Sequence, residues 1–164
     1  MSWQQAYLDR YYSRERGWVD GTTEFHELCA AQLPAGGRLL EIGAGPSNRT
    51  STFLAGIGEL HGVDPDPDVR ENDALASAEL LVDGRFPFDD ASFSGCVSNF
   101  VLEHVDDAAL HLAEVRRVLR PGAPYVFRTP NRFHYVALVS ALTPHWFHVR
   151  VANRLRKLDE DSHD

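Results

Sequence analysis

The segment Leu39-Leu40-Glu41-Ile42-Gly43-Ala44-Gly45-Pro46-Ser47 carries the strongest chemical signal in the chain. A short apolar run ends in two glycines, and glycine lets a backbone turn sharply and approach a ligand that a side chain would exclude. The same pattern also suits a plain strand-to-helix turn. A dinucleotide-binding loop requires Gly-x-Gly-x-x-Gly, but the sixth position is Asn48, and Pro46 removes an amide. A pyrophosphate cradle therefore loses support, and a ligand without phosphates fits better.

Two carboxylates follow. Asp64 lies 21 positions after Gly43. A carboxylate at the end of a second strand can accept two hydrogen bonds from the ribose hydroxyls of an adenosine moiety; the alternative is a cap or turn aspartate, as Asp66 and Asp68 read. Asp83-Gly84 is followed by Phe86-Pro87-Phe88. A carboxylate beside an amide can read the amino group and ring nitrogen of adenine, with the aromatic pair as walls; a turn packed by phenylalanines is the plainer reading. His145 and His148 have a metal-like spacing without a second ligand pair, so no metal is expected. Arg150, Arg154, Arg156 and Lys157 read as a solvated helix face rather than a contact for an anionic membrane.

An α/β rhythm positions these groups. Strands are predicted at Arg38 to Ile42, Glu59 to Val63, Glu79 to Val82, Phe93 to Phe100 and Tyr125 to Arg128. Between them lie helices from Ser47 to Ile57 and Asp106 to Leu119, the latter capped by Asp106 or Asp107 and ended by Arg120-Pro121-Gly122. Before the strands, residues 1–32 form a helical, aromatic-rich lead-in broken at Gly17 and Asp20-Gly21, with Thr22 or Thr23 capping its second helix. Residues 131–164 read as a helical segment and a polar tail. The division is one domain over 1–164 with its core at 37–130. Alternating strands and helices imply parallel pairing, with ligands beyond the carboxyl ends of the strands. The Gly43 loop, Asp64, Asp83 and Asn99 all fall at such ends.

The chain has 164 residues, 43% hydrophobic, with a net charge of −8. That charge argues against a duplex nucleic-acid partner. There is no apolar run of transmembrane length and no signal peptide pattern, and two cysteines make no disulfide framework, so the cytoplasm is the expected compartment. Lys157 is the sole lysine, which removes Schiff-base chemistry from most of the chain.

Glu41-Ile42-Gly43-Ala44-Gly45, then Asp64, then Asp83-Gly84-Arg85-Phe86-Pro87-Phe88, then Ser98-Asn99-Phe100-Val101-Leu102-Glu103-His104-Val105, then Glu114 to Gly122 resemble the successive motifs of class I S-adenosylmethionine-dependent methyltransferases. The nearest likeness is to the ubiquinone/menaquinone-biosynthesis-like type 11 subgroup, over roughly residues 37–130. The resemblance implies a Rossmann-like, doubly wound, mostly parallel sheet of order 3-2-1-4-5 in a three-layer sandwich. It implies S-adenosylmethionine as cofactor and Glu41, Gly43, Ala44, Gly45, Asp64, Pro65, Asp83, Gly84, Asn99 and Phe100 as its contacts. Glu41 would lie at the methionine amino end, Asp64 on ribose, Asp83 and Gly84 on adenine, and Asn99 beside the methionine portion. Glu103 and His104 would line the substrate side, with His104 as the candidate base where an acceptor must lose a proton.

The full fold of this class has seven strands, and only five are predicted here. Tyr125-Val126-Phe127 would then be an apolar edge strand, which invites a homodimer or a C-terminal segment folded over it. Methyl transfer to a small-molecule or lipid-like acceptor is the expected activity. The rival expectations are a cofactor-binding module without turnover, and an NAD-binding oxidoreductase. The last is weakened by Asn48 and by the lack of a Tyr-x-x-x-Lys pair.

Overall fold

A computed structural model describes residues 18–131 of the chain. The chain divides into two compact units, Met1–Thr129 and Pro130–Asp164, and the architecture below is that of the first. The first lead-in helix and the helical segment after residue 132 lie outside the described residues.

The elements run α1 (Gly21–Gln32), β1 (Arg38–Ile42), α2 (Arg49–Ala55), β2 (Glu59–Asp64), a 3-10 turn (Pro67–Glu71), β3 (Ser77–Leu80), β4 (Gly95–Asn99), a second 3-10 turn (Leu102–His104), α3 (Ala108–Val118) and β5 (Tyr125–Arg128). The five strands form one sheet in the order β3-β2-β1-β4-β5. Every pairing is parallel. Ile42 pairs with Val63 on one side and Ser98 on the other. One step further along these strands stand Gly43, Asp64 and Asn99, abreast at the carboxyl edge. The winding reverses between β1 and β4, which opens the crevice where α/β sheets bind ligands.

Strand alternation divides the core between two faces. Leu39, Leu60, Val97 and Val126 pack with Phe25, Cys29 and Leu33 and with Leu54 of α2 on one face. Leu40, Ile42, Val63 and Cys96 pack with Phe86, Phe93 and with Val115 and Val118 of α3 on the other. The sheet is thereby covered by helices on both sides, as a parallel sheet requires.

Several element ends differ from the sequence reading, each for a local reason. The cap of α1 is Asp20, not Thr22 or Thr23: its carboxylate accepts from the amides of both threonines at 3.1 Å. A carboxylate can take two amides at once and lies at the positive end of the helix dipole. Helix α2 starts two residues late because Asn48 caps it, accepting from the Thr50 and Ser51 amides. Helix α3 is capped by Asp107, through the Leu110 amide, and not by Asp106. Strand β3 lies two residues earlier than predicted. Val82 instead bridges Arg85 across Asp83 and Gly84. Those two have φ of 52° and 70°, the left-handed pair of a tight hairpin turn. Strand β4 is shorter than predicted, since Phe93 bridges to Leu119. Among the described residues no helix is long and apolar enough to cross a membrane.

Candidate functional site

The turn after β1 is built around two glycines with φ of 72° (Gly43) and 53° (Gly45). A Cβ on Gly43 would stand 2.3 Å from Val101 Cγ2. A Cβ on Gly45 would meet nothing within 4 Å. Gly43 is thus required by the protein's own packing, while the space over Gly45 is open. The Gly45 amide donates to Asp64 Oδ2 at 3.0 Å, and the Asp66 amide donates to Asp64 Oδ1 at 2.8 Å. Asp64 keeps unused lone pairs, because a carboxylate has about four acceptor sites.

A polar knot stiffens the turn from behind. Asn48 donates to the Ala44 carbonyl at 2.8 Å and to Ser51 Oγ at 2.9 Å. Asn72 also donates to Ser51 Oγ at 2.9 Å and to the Gly45 carbonyl at 3.2 Å. Ser51 Oγ in turn donates to Glu41 Oε2 at 2.6 Å. Asn48 therefore occupies the Thr50 and Ser51 amides that a pyrophosphate would need. Glu41 is only 3% exposed. Burial pushes its carboxyl up to about 7; the Ser51 hydrogen bond opposes the rise and the Asp64 charge adds to it.

Two cavities flank the glycine turn, and Gly43 lines both. One, of about 330 Å³, has Pro65, Asp83, Gly84, Phe86, Val101 and His104 among its walls, with Leu110 and His111 from α3. It is largely apolar with a few polar groups, the usual make-up of a small-molecule site. The other, of about 360 Å³, is lined by Thr22, Glu41, Gly43, Asn48, Arg49, Thr50 and Asn99. It is polar, with a buried acid at its wall and Arg49 opposite in charge.

The Asp83 loop is held by α3. Glu114 accepts from the Phe86 amide at 2.9 Å. Arg117 donates to the carbonyls of Phe86 and Phe88 and to both oxygens of Glu114. Those hydrogen bonds, Arg117's first, hold the Glu114 carboxyl down at about 2. His104 is exposed at the first cavity. His111 is buried there, its Nε2 3.1 Å from the Tyr125 hydroxyl, which lies 2.7 Å from Ser98 Oγ. Burial lowers the His111 pKa.

Of the residues singled out in the sequence, Gly43, Pro65, Asp83, Gly84 and His104 line the first cavity, and Glu41, Gly43 and Asn99 the second. Ala44 and Gly45 form the turn between, and Asp64 anchors it. Ala44 is buried, facing inward rather than toward either cavity. Phe100 lines neither cavity; its ring lies under the Arg128 guanidinium, 4.4 Å away. Sequence reading missed Thr22, Arg49, His111, Glu114, Arg117 and Arg128 as site-building residues. The Glu114–Arg117 pair was visible as an i, i+3 charge pair, but not its grip on a loop 28 residues away. Among the described residues no group of three or more His, Cys, Asp or Glu could hold a metal.

A model of the methyltransferase domain family matches residues 40–127. An uncharacterized methyltransferase of Mycolicibacterium vanbaalenii is 34% identical over 131 residues, 73% of this chain and 49% of that protein. One from Mycobacterium marinum is 40% identical over 97 residues, 54% of this chain and 37% of its own length. The chain spans about half the length, or less, of these curated relatives. An S-adenosylmethionine-dependent methyltransferase structure from Mesorhizobium loti superposes with a TM-score of 0.53 at 23% identity, covering 63% of this chain and 51% of that one. That likeness speaks for the fold. The family match takes in more than half of the chain, from within β1 into β5, and on that ground the chain belongs to the methyltransferase domain family.

Proposed function

We propose that this chain binds S-adenosylmethionine and transfers a methyl group to a small-molecule or lipid-like acceptor. The observation that carries the reading is Gly43 standing between a cavity with Asp83 and Gly84 and a cavity with Glu41 and Asn99. One end suits a purine base and the other an α-amino acid. The open space over Gly45 and the spare acceptor sites on Asp64 suit the sugar between them.

When bound, S-adenosylmethionine supplies a methyl carbon already activated on a sulfonium. The residues of the chain bind and orient. In this reading Glu41 accepts from the ammonium, Asn99 faces the methionine portion, Asp64 takes the ribose hydroxyls, and Asp83 with the Gly84 amide reads adenine against Pro65 and Phe86. In-line displacement needs alignment more than covalent help from the protein. His104, exposed at the cavity, takes a proton from acceptors that must lose one. Among the described residues β5 is an edge strand with Phe127 exposed, and that edge is proposed to pair with a second copy of the chain; sedimentation showing only monomer would refute that pairing.

Titration calorimetry with S-adenosylmethionine, S-adenosylhomocysteine and NAD tests the cofactor. The two adenosyl ligands are expected to bind and NAD is not; binding of NAD alone would overturn the proposal. Methylation of acceptors drawn from phenolic, enolisable and lipid-like compounds tests turnover. Cofactor binding with no product from any of them would favour a binding module.

A further inference from the structure

Arg128 closes β5 and touches five residues in two places: Asn99 and Phe100 at the end of β4, and Gly21, Thr22 and Phe25 of α1. Its Nε donates to Asn99 Oδ1 at 2.8 Å. One terminal nitrogen donates to the Gly21 carbonyl and the other to Thr22 Oγ1, at 3.4 Å. The guanidinium also lies over the rings of Phe25, at 5.2 Å, and Phe100, at 4.4 Å. A Cβ on Gly21 would stand 3.3 Å from the guanidinium, so the start of α1 approaches it closely.

Asn99 and Thr22 are both walls of the polar cavity, and they come from elements far apart in the chain. Arg128 is bonded to each. Its effect on Asn99 is directional. Arginine carries donors only, so the Asn99 atom facing it is the carbonyl oxygen, and the amide nitrogen is left as the donor for the cavity. Asn99 and Arg128 are also paired across the sheet, which fixes the distance the side chain has to span. Planar, multidentate donation of this kind is not reproduced by lysine.

We propose that Arg128 is a positioning residue for the amino-acid end of the cofactor: it sets the amide orientation of Asn99 and the placement of Thr22. The proposal rests on the functional reading above and deepens it by dividing the site into an amino-acid half that depends on Arg128 and an adenosine half that does not. The adenosine half is held by Glu114 and Arg117 instead.

The test compares two ligands on three proteins. S-adenosylhomocysteine carries the amino-acid end; 5′-methylthioadenosine keeps the adenosine thioether and lacks it. Calorimetric affinities are measured for the wild type, Arg128→Met and Arg128→Lys. Arg128→Met is expected to weaken S-adenosylhomocysteine about tenfold or more, with 5′-methylthioadenosine changed less than about twofold. Arg128→Lys, which keeps the charge and stem and is the safer variant for folding, is expected to show the same selectivity at smaller size. Equal weakening of both ligands, or no change in either, would overturn the role of Arg128 alone. A wild type that binds neither ligand overturns the functional reading and this proposal with it.

Discussion

Gly45 and Asp64 are joined by a hydrogen bond of 3.0 Å from the glycine amide to Asp64 Oδ2. Since Asp66 donates to the other oxygen, the carboxylate is aimed by main chain on both sides. Its orientation is therefore set before any ligand arrives, which is how a fixed acceptor gains affinity.

Replacing that carboxylate separates its two duties. Asp64→Ala is expected to weaken S-adenosylmethionine by about 1–3 kcal/mol, through loss of charge-assisted hydrogen bonds. Asp64→Asn must turn an amide nitrogen toward one of two main-chain donors, so it is expected to cost about 1 kcal/mol of stability as well. Calorimetry reads the first and thermal denaturation the second. Unchanged affinity in Asp64→Ala would remove this residue from the site.

Glu41 is expected to make both stability and cofactor binding depend on pH. Its folded value of about 7 exceeds the ordinary 4.5. Over that interval the folded state holds the proton more tightly than the unfolded chain. Stability contributed by this group therefore falls as pH rises from 4.5 to about 7 and is level above. A ligand ammonium favours the ionised carboxylate, so affinity for S-adenosylhomocysteine should rise with pH up to about 7, by at most about tenfold per unit. Glu41→Gln should flatten both slopes. A wild-type affinity that does not change between about pH 5.5 and 7 would contradict the pairing.

The two glycines of the turn should fail differently. Gly43→Ala forces a methyl into Val101 at positive φ and is expected to destabilise the fold by about 2–4 kcal/mol. Gly45→Ala meets only the backbone cost of about 1–2 kcal/mol, since nothing stands within 4 Å. Its methyl enters the open space, so it should fold and bind cofactor weakly. Full cofactor affinity in folded Gly45→Ala would show that this space is not used.

The clamp on the Asp83 loop predicts acid sensitivity. Glu114 is held at about 2 against an ordinary 4.5, chiefly by Arg117. Its contribution is present above pH 4.5 and is lost as pH falls from 4.5 toward 2. Arg117→Met leaves the buried Glu114 carboxylate only the Phe86 amide and the exposed Arg85, 3.8 Å away, and is expected to cost about 2–4 kcal/mol at neutral pH and to move the acid unfolding midpoint upward. Denaturation curves at several pH values check both. Cofactor affinity should also fall, because the loop carrying Asp83 loses its carbonyl partners on α3.

What could be seen in the chain itself was local. Apolar runs stopped by Gly43, Asp64 and Asn99 mark strand ends, and strands alternating with helices imply parallel pairing, so the residues at the carboxyl edge were recoverable; the strand order came with the family resemblance. Even the errors were local. Val82 is apolar and invited a strand, yet it is 57% exposed beside a left-handed Asp83-Gly84 turn. Asp20, Thr22 and Thr23 can all cap a helix, and composition does not rank them.

The folded arrangement decided which distant groups meet. Parallel pairing of Asn99 with Arg128 brings the end of β5 over the start of α1, a contact separated by 107 positions in the chain. The clamp of Arg117 on Phe86 spans 31. Such partners carry no periodic or nearest-neighbour signature, because their proximity comes from crossovers that bury the two sheet faces and not from the residues adjacent to them. Strand ends and turns obey short-range sterics and hydrogen bonding; the choice of which side chain holds which loop follows only once the sheet has closed that distance.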